Sequence, residues 1–310
     1  MDGKDIIFTV VITTYGRPNK IKRAIDSVLY QTYKKFEIII IDDNGRNNEN
    51  QKITEKIVEK YKEKVIYVIQ EENNGANSAR NKGILRAKGE YIAFLDDDDE
   101  FLENKLEEVN KILNKERHDL IYSGANIIDA KRKNYSYFEY KNIKKEILKG
   151  NYIGSTSFVV VKKEKIIQVG LFNEKLKSCQ DWELWIRLIF VDSKIYGINK
   201  ALVNYYIDIK EKTRISNDIK KRLQGHYYIY NITKNKYLNL FKLKDKKEIT
   251  YHQKVRILSI YYERFRFKEY RKVFRVVYYK KYAGIKNYLK YFFSIFNLKV
   301  TKKGLIRMEK

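Results

Sequence analysis

The 310-residue sequence has one cysteine, one proline, three histidines and two tryptophans. A single cysteine excludes an intramolecular disulfide and a paired-thiolate metal site, so a reducing compartment is the default setting. Three scattered histidines argue against a histidine-rich zinc centre. Long apolar runs are missing too. The best candidate for a membrane span, Tyr288 to Leu298, contains Lys290 and Asn297 and falls short of the roughly 18 residues that a spanning helix needs. The start, Met1-Asp2-Gly3-Lys4-Asp5, lacks the basic opening and apolar core of a secretory leader. The expectation is a cytoplasmic protein whose membrane contact, if any, is peripheral. No Gly-x-Gly-x-x-Gly follows the first strand-like run and no Gly-x-x-x-x-Gly-Lys-Ser/Thr occurs anywhere, which weakens dehydrogenase and ATPase readings.

What the chain does have is positive charge, unevenly placed. The net charge is +26, and residues 219–310 hold 26 Lys and Arg against 5 Asp and Glu, leaving 39 against 34 over residues 1–218. The shift sets a boundary near Ser216, with a nearly balanced body at 1–216 and a basic, tyrosine-rich extension at 217–310. In the extension, Ile257, Ile260, Tyr261 and Phe265 trace one helical face and Tyr270, Val273, Phe274 and Val277 another, while Asp245-Lys246-Lys247-Glu248 has capping-box spacing. Three or four short helices are expected. Such a surface suits anionic lipid headgroups, or alternatively nucleic acid, since basic residues interleaved with aromatics also fit phosphate and base stacking. The acidic clusters of the body oppose nucleic acid, and none is expected as a partner.

The body alternates strand-like and helix-like segments. Ile6 to Ile12 is almost continuously apolar and leads into Thr13-Thr14-Tyr15-Gly16-Arg17-Pro18, after which Ile21, Ala24, Ile25, Val28 and Leu29 form a helical face. Phe36 to Ile41 runs into Asp42-Asp43-Asn44-Gly45, followed by a helix from about Gln51 to Tyr61. Val65 to Ile69 precedes Asn73 to Gly83, which opens a helix, and Tyr91 to Leu95 ends at Asp96-Asp97-Asp98-Asp99, with a helix expected over Leu102 to Leu113. The stretch Lys131 to Lys145 reads as irregular. This order predicts an α/β domain with a mainly parallel central sheet, in which ligands bind beyond the carboxyl ends of the strands. Thr13 to Arg17, Asp42-Asp43 and Asp96 to Asp99 all fall at such ends.

Four successive aspartates repel one another unless a cation or hydrogen-bond donors compensate. Mg²⁺ or Mn²⁺, held by one or two carboxylates and a diphosphate, would do so, and Arg17 and Arg80 could recognise the phosphates. The plainer alternative is an acidic loop capping the next helix. Asp181, in Cys179-Gln180-Asp181-Trp182-Glu183-Leu184-Trp185, is either a helix cap or a carboxylate flanked by both tryptophans and able to take a proton. Cys179 reads as packing. His226 reads as a surface histidine, with a further metal ligand as the alternative.

Taken together, Val11 to Pro18, Ile41 to Asn44, Asn77 to Gly83, Phe94 to Asp99 and Gln180 to Trp185 resemble the family-2 glycosyltransferases of GT-A fold, over residues 6 to about 206. The resemblance implies a nucleotide-diphosphate sugar donor such as a UDP-sugar, a Mn²⁺ or Mg²⁺ ion, and an inverting displacement. The acceptor would be a carbohydrate or lipid-linked hydroxyl in cell-surface polysaccharide or glycolipid synthesis. By position, Thr13, Tyr15 and Asp43 look like the residues that hold the base, with Thr14, Arg17, Asp42, Arg80 and Asp96 along the nucleotide. Asp97 would face the ribose, Asp98 would bind the metal, and Asp181 resembles the catalytic base. Gly16 stands where the family often has Asn, Gln180 where Glu is common, and Glu103 lies where a proline is often found. A nucleotide-sugar-binding protein without catalysis is the other option within this resemblance, and the presence of both Asp98 and Asp181 opposes it.

Overall fold

The computed structural model describes residues 8–129, 133–137, 142–207, 218–263, 271, 298–301 and 304–307. The N-terminal five residues, the boundary near Ser216, the proposed Tyr270 to Val277 face, Phe265 and most of the Tyr288 to Leu298 run lie outside them. Strand β1, Phe8–Thr14, is buried at every position because sheet neighbours flank both edges and helices cover its faces. Its β-branched side chains suit that setting, and each fully buried Ile or Val contributes about 1.5–3 kcal/mol. Helix α1, Pro18–Leu29, starts on proline, whose missing N–H costs nothing at a first helical position. It buries Ile21, Ala24, Ile25 and Val28 completely.

The chain continues through β2 (Phe36–Asp42), α2 (Glu49–Val58), β3 (Ile66–Ile69), α3 (Ala76–Arg86) and β4 (Tyr91–Asp96). These strands lie parallel in the order β3-β2-β1-β4, as alternation predicts. Register then does the positioning. Thr14 pairs with Asp42, and Thr13 with Asp96, so the polar residues that end three strands finish side by side. Helix α3 rides close on β1, since a Cβ at Gly83 would come within 2.4 Å of Val11 Cγ1. That approach holds Arg80, on the same helix, over the strand ends.

Beyond β4 the sheet is mixed. Strands β5 (Glu100–Phe101), β6 (Leu120–Asp129), β7 (Lys133–Ser136), β8 (Val159–Lys162) and β9 (Ile195–Ile207) complete nine strands, with β8 antiparallel to β4 and β6 and with β9 parallel to β6. Helix α4, Lys105–Lys115, begins later than the pattern suggests because Glu100 and Phe101 pair with Asn204 and Val203 of β9 before the chain can turn helical. The stretch expected to be irregular carries β7 and the start of α5 (Ile143–Lys149). Helices α6 (Lys163–Gln168) and α7 (Gln180–Phe190) follow β8.

The chain divides into two compact units, one of residues 1–143, 152–176 and 180–213, the other of 144–151, 177–179 and 214–310. The described part of the second contains α8 (Ile219–Ile232), α9 (Leu243–Glu263) and a hairpin of β10 (Leu298–Thr301) and β11 (Gly304–Arg307). Helix α9 runs 21 residues, longer than the short helices expected. Asp245 sits within its first turn, and its carboxylate pairs with Lys145 at 2.7 Å. Among the described residues no helix is long and apolar enough to cross a membrane.

One of the fully buried polar residues is a lysine. Lys105 is fully buried, with Nζ 3.5 Å from Ser123 Oγ, 3.4 Å from the Phe158 carbonyl and 4.8 Å from the centre of the Phe101 ring. Burial, with no carboxylate pairing to it among the described residues, lowers its pKa to about 7. Between that value and the ordinary 10.5 the unfolded chain binds a proton that the folded chain does not, so this residue makes stability rise with pH across the window. Lys105→Met should be more stable than the parent at pH 7 and should flatten the rise, as read by urea unfolding from pH 7 to 10. A less stable variant with an unchanged pH slope would contradict this.

Candidate active site

The aspartate run does not act as one cluster, because each carboxylate meets a different partner. Asp96 Oδ1 accepts from Arg80 Nη2 at 2.8 Å. Asp97 Oδ2 accepts from Thr14 Oγ1 at 2.7 Å, and its other oxygen pairs with Arg17. Asp98 Oδ2 accepts from Arg17 Nη1 at 2.5 Å. Asp99 turns inward, accepting from Ser157 Oγ at 2.6 Å and from the Tyr206 backbone N–H at 3.2 Å. The repulsion that the sequence poses is answered by two arginines and two hydroxyls. Arg17 and Arg80, expected to face phosphates, are seated on the carboxylates themselves.

Burial separates the four further. The side chains of Asp97 and Asp98 are 0% and 12% exposed, and that of Asp96 is 24% exposed. Burial, with Asp98 and Asp96 nearby, pushes Asp97 up to about 7 against the pull of Arg17 and Thr14. Burial and the same two neighbours hold Asp99 well above the usual carboxylate range. Asp96 and Asp98 therefore form the reachable rim, and Asp97 and Asp99 lie beneath it.

Among the described residues no group of three or more His, Cys, Asp or Glu side chains is placed to hold a metal ion. The turn therefore does not fit an all-protein cage. It does fit a Mg²⁺ or Mn²⁺ ion bound through one or two rim carboxylates, Asp98 first and Asp96 next, with the remaining oxygens supplied by a diphosphate. His226 is partly buried between helices, where burial and the Arg256 and Arg222 charges depress its pKa to about 4.

The second strand end is a knot of hydrogen bonds. Asp42 accepts from the Asn44 backbone N–H and from Tyr67 Oη at 2.6 Å. Asp43 accepts from Gln70 Nε2 at 2.5 Å and from the backbone N–H groups of Asn74 and Gly75, both at 2.9 Å. Burial raises both carboxyls, and these donors pull them back. Asp43 thus fixes the loop that starts α3. Thr13 and Thr14 are buried between the two acidic ends, whereas Tyr15 is half exposed, free to lie against a planar ring. Gly16 has φ +70°, a left-handed conformation that asparagine also tolerates, and its N–H donates to Asn44 Oδ1 at 2.7 Å. The Gly-for-Asn departure is therefore conformationally neutral.

Asp181 lies in the first turn of α7, and its Oδ1 accepts from the next residue's N–H, Trp182, at 2.7 Å. Burial pushes its pKa up to about 6, against the Trp182 N–H and the Arg80 charge, while Asp96 adds to the rise. Asp181 therefore feels the same Arg80–Asp96 pair that borders the acidic turn. Trp185 is fully buried, its indole N–H donating to the Gly154 carbonyl at 3.1 Å, and Trp182 is 3% exposed. The tryptophans anchor the helix.

Several supporting residues carry no strong sequence signal. Arg23 Nη2 donates to the Asp98 carbonyl at 2.5 Å, and its guanidinium lies 3.7 Å from the centre of the Tyr206 ring. Tyr206 Oη in turn donates to Glu100 Oε2 at 2.9 Å. Ser157, in a 3-10 turn from Thr156 to Phe158, accepts from the Asp96 N–H as it donates to Asp99. Asn77 and Asn81 sit four apart on α3 beside Arg80 and donate to the Asn173, Leu176 and Phe172 carbonyls, so α3 staples the loop that leads to α7. Their spacing was visible inside the Asn77 to Gly83 motif. Arg23, Ser157 and Tyr206 become neighbours only through the sheet.

Comparisons with known proteins show the family and the fold. Residues 9–174 match the family model described as Glycosyl transferase family 2. An uncharacterized glycosyltransferase of Methanocaldococcus jannaschii is 34% identical over 240 residues, covering 74% of this chain and 80% of that protein. The amylovoran biosynthesis glycosyltransferase AmsB of Erwinia amylovora is 33% identical over 220 residues, covering 66% of this chain and 71% of that protein. Among solved structures, residues 1–349 of S. aureus TarS in complex with UDP-GlcNAc superpose with a TM-score of 0.58 at 17% identity, covering 98% of this chain and 97% of that one.

A carboxyl-carbon NMR titration of Asp181 should give a midpoint near 6, and Arg80→Met should move it upward by removing a charge that favours the ionised form. A midpoint at the ordinary 3.8, or no response to the Arg80 change, would contradict the placement of Asp181 beside the Arg80–Asp96 pair.

Proposed function

Because this chain belongs to glycosyl transferase family 2 and is a glycosyltransferase, we propose that it moves a sugar from a UDP-sugar to an acceptor hydroxyl with inversion. The acceptor is a carbohydrate or lipid-linked sugar in cell-surface polysaccharide or glycolipid synthesis, and the body at residues 1–216 performs the transfer. What supports the donor is the solved neighbour in complex with UDP-GlcNAc. What supports the acceptor class is the relative that serves amylovoran biosynthesis.

In this reading Tyr15 stacks on the base, Thr13 and Asp43 border it, and Asp97, covered by Arg17 in this structure, comes to face the ribose when Arg17 turns to phosphate. Thr14 and Asp42 brace these groups from the neighbouring strand ends. Arg17 and Arg80 exchange part of their carboxylate pairing for phosphate oxygens when the donor enters, which guanidinium forks do readily. A divalent ion bound at Asp98, when present, supplies positive charge beside the departing diphosphate. Asp181 accepts the acceptor's hydroxyl proton as that oxygen bonds to the anomeric carbon and the carbon–diphosphate bond breaks. Attack from the face opposite the leaving group inverts the centre. A carboxyl at about pH 6 is largely ionised at neutral pH and more basic than an ordinary aspartate, as a general base requires.

The observation that carries this reading is the shared electrostatic neighbourhood of Asp181, Arg80 and Asp96, one residue from Asp97 and two from Asp98. A nucleotide-sugar panel assayed with Mn²⁺ should yield one donor that is turned over. With that donor, Asp181→Asn should lose about 100-fold or more in kcat with little change in KM. Asp98→Asn should lose both activity and its dependence on added metal. Undiminished transfer by both variants would rule out these roles.

A further inference from the structure

The junction of α8 and α9 is built as an anchored turn with an apolar tip. Helix α8, capped by Asp218, passes into a π turn (Thr233–Tyr237) and a 3-10 turn (Leu238–Leu240) before α9 begins at Leu243. Its base is closed. Ile229, Ile249, Ile257 and Ile260 are buried, and Gln253 Nε2 donates to Thr233 Oγ1 at 2.9 Å and to the Leu148 carbonyl at 2.6 Å. Lys145 and Lys149 pair with Glu248 at 2.8 and 2.7 Å, and Lys145 also occupies Asp245.

The tip is the opposite. Leu240 and Leu243 are 69% and 68% exposed, three residues apart on a turn whose lower part is fixed. Lys234, Lys236, Lys242, Lys244 and Lys247 in the same stretch are exposed, and the only acidic residue from 234 to 247 is Asp245, already paired. A single exposed leucine needs no explanation. Two exposed leucines in a turn rich in exposed lysines suit a bilayer interface, with apolar groups below the headgroups and cations level with the phosphates. A second copy of the chain would bring this lysine-rich turn against its own like charge. Single-stranded nucleic acid would want exposed aromatic platforms, and the tip offers leucines instead, with Tyr237 and Phe241 half-buried.

We propose that the α8–α9 turn docks on an anionic phospholipid bilayer, inserting Leu240 and Leu243 while the lysines of the turn engage lipid phosphates. This deepens the transferase reading by holding the enzyme where a lipid-borne acceptor is found. The site in the other unit is untouched by the change tested below, so the two readings fail separately.

The test uses the full chain in co-sedimentation with phosphatidylcholine vesicles, with and without phosphatidylglycerol. The parent should bind only the anionic vesicles, with affinity falling as salt rises. Leu240→Ser/Leu243→Ser should weaken binding about tenfold or more, and Lys242→Glu/Lys244→Glu should weaken it most at low salt. Both variants should keep the parent's Tm and donor hydrolysis. Unchanged binding by the leucine variant, equal binding to neutral vesicles, tighter binding to an oligonucleotide at matched salt, or self-association lost with the leucines would each overturn the proposal. Absence of donor hydrolysis in the parent would count against the transferase reading alone.

Discussion

The site depends on how three of four adjacent carboxylates share two arginines. Arg17 pairs with Asp97 and Asp98 and opposes the rise that burial imposes on the Asp97 carboxyl, while Arg80 pairs with Asp96. Asp99 is kept out of this balance by facing Ser157 and the Tyr206 backbone. The result is a graded set, with Asp97 and Asp99 inclined toward their neutral forms and the rim left to Asp96 and Asp98. In the proposed reaction Arg17 and Arg80 would turn from these carboxylates toward a donor diphosphate, and Asp98 and Asp96 would be the residues to hold a divalent ion.

This balance exists because of sheet geometry. Parallel strands β2, β1 and β4 end in register at Asp42, Thr14 and Asp96, so three acidic or hydroxyl-bearing ends share one edge. Helix α3 leaves the Asp43-bound loop, passes close over β1 at Gly83 and delivers Arg80 to Asp96. The same helix holds the chain before α7 through Asn77 and Asn81, linking the nucleotide side of the site to the carboxylate proposed as base. Arg23, pinned on Tyr206, fixes the carbonyl of Asp98 from below. These supports fix the rim, where positions matter at the level of about an ångström.

Much of this was legible before any coordinates. The β1 to β4 alternation, the helix starting at Pro18 and the acidic strand ends follow from local periodicity and punctuation. Less local features were not. The sequence could not show that Arg17 and Arg80 sit on the aspartates, since pairing across 81 and 16 positions is set by register and helix placement. It missed β5, because two residues have no period, and so began α4 too early. Ser157 and Tyr206 carry no motif of their own and matter only where β8 and β9 bring them beside Asp99. In the extension, a spacing that resembled a capping box proved to be an ion pair of Asp245 with Lys145, a hundred positions earlier. Local rules place elements well, and long-range electrostatic partners need the fold.

The most direct test of the charge balance is an electron paramagnetic resonance titration of Mn²⁺ into the protein with and without UDP. Since the turn offers rim carboxylates already paired to arginines and no three-ligand cage among the described residues, binding should be weak without nucleotide and strengthen at least tenfold with it. Tight Mn²⁺ binding in the absence of UDP, or nucleotide-dependent binding that survives intact in Asp98→Asn, would contradict the account.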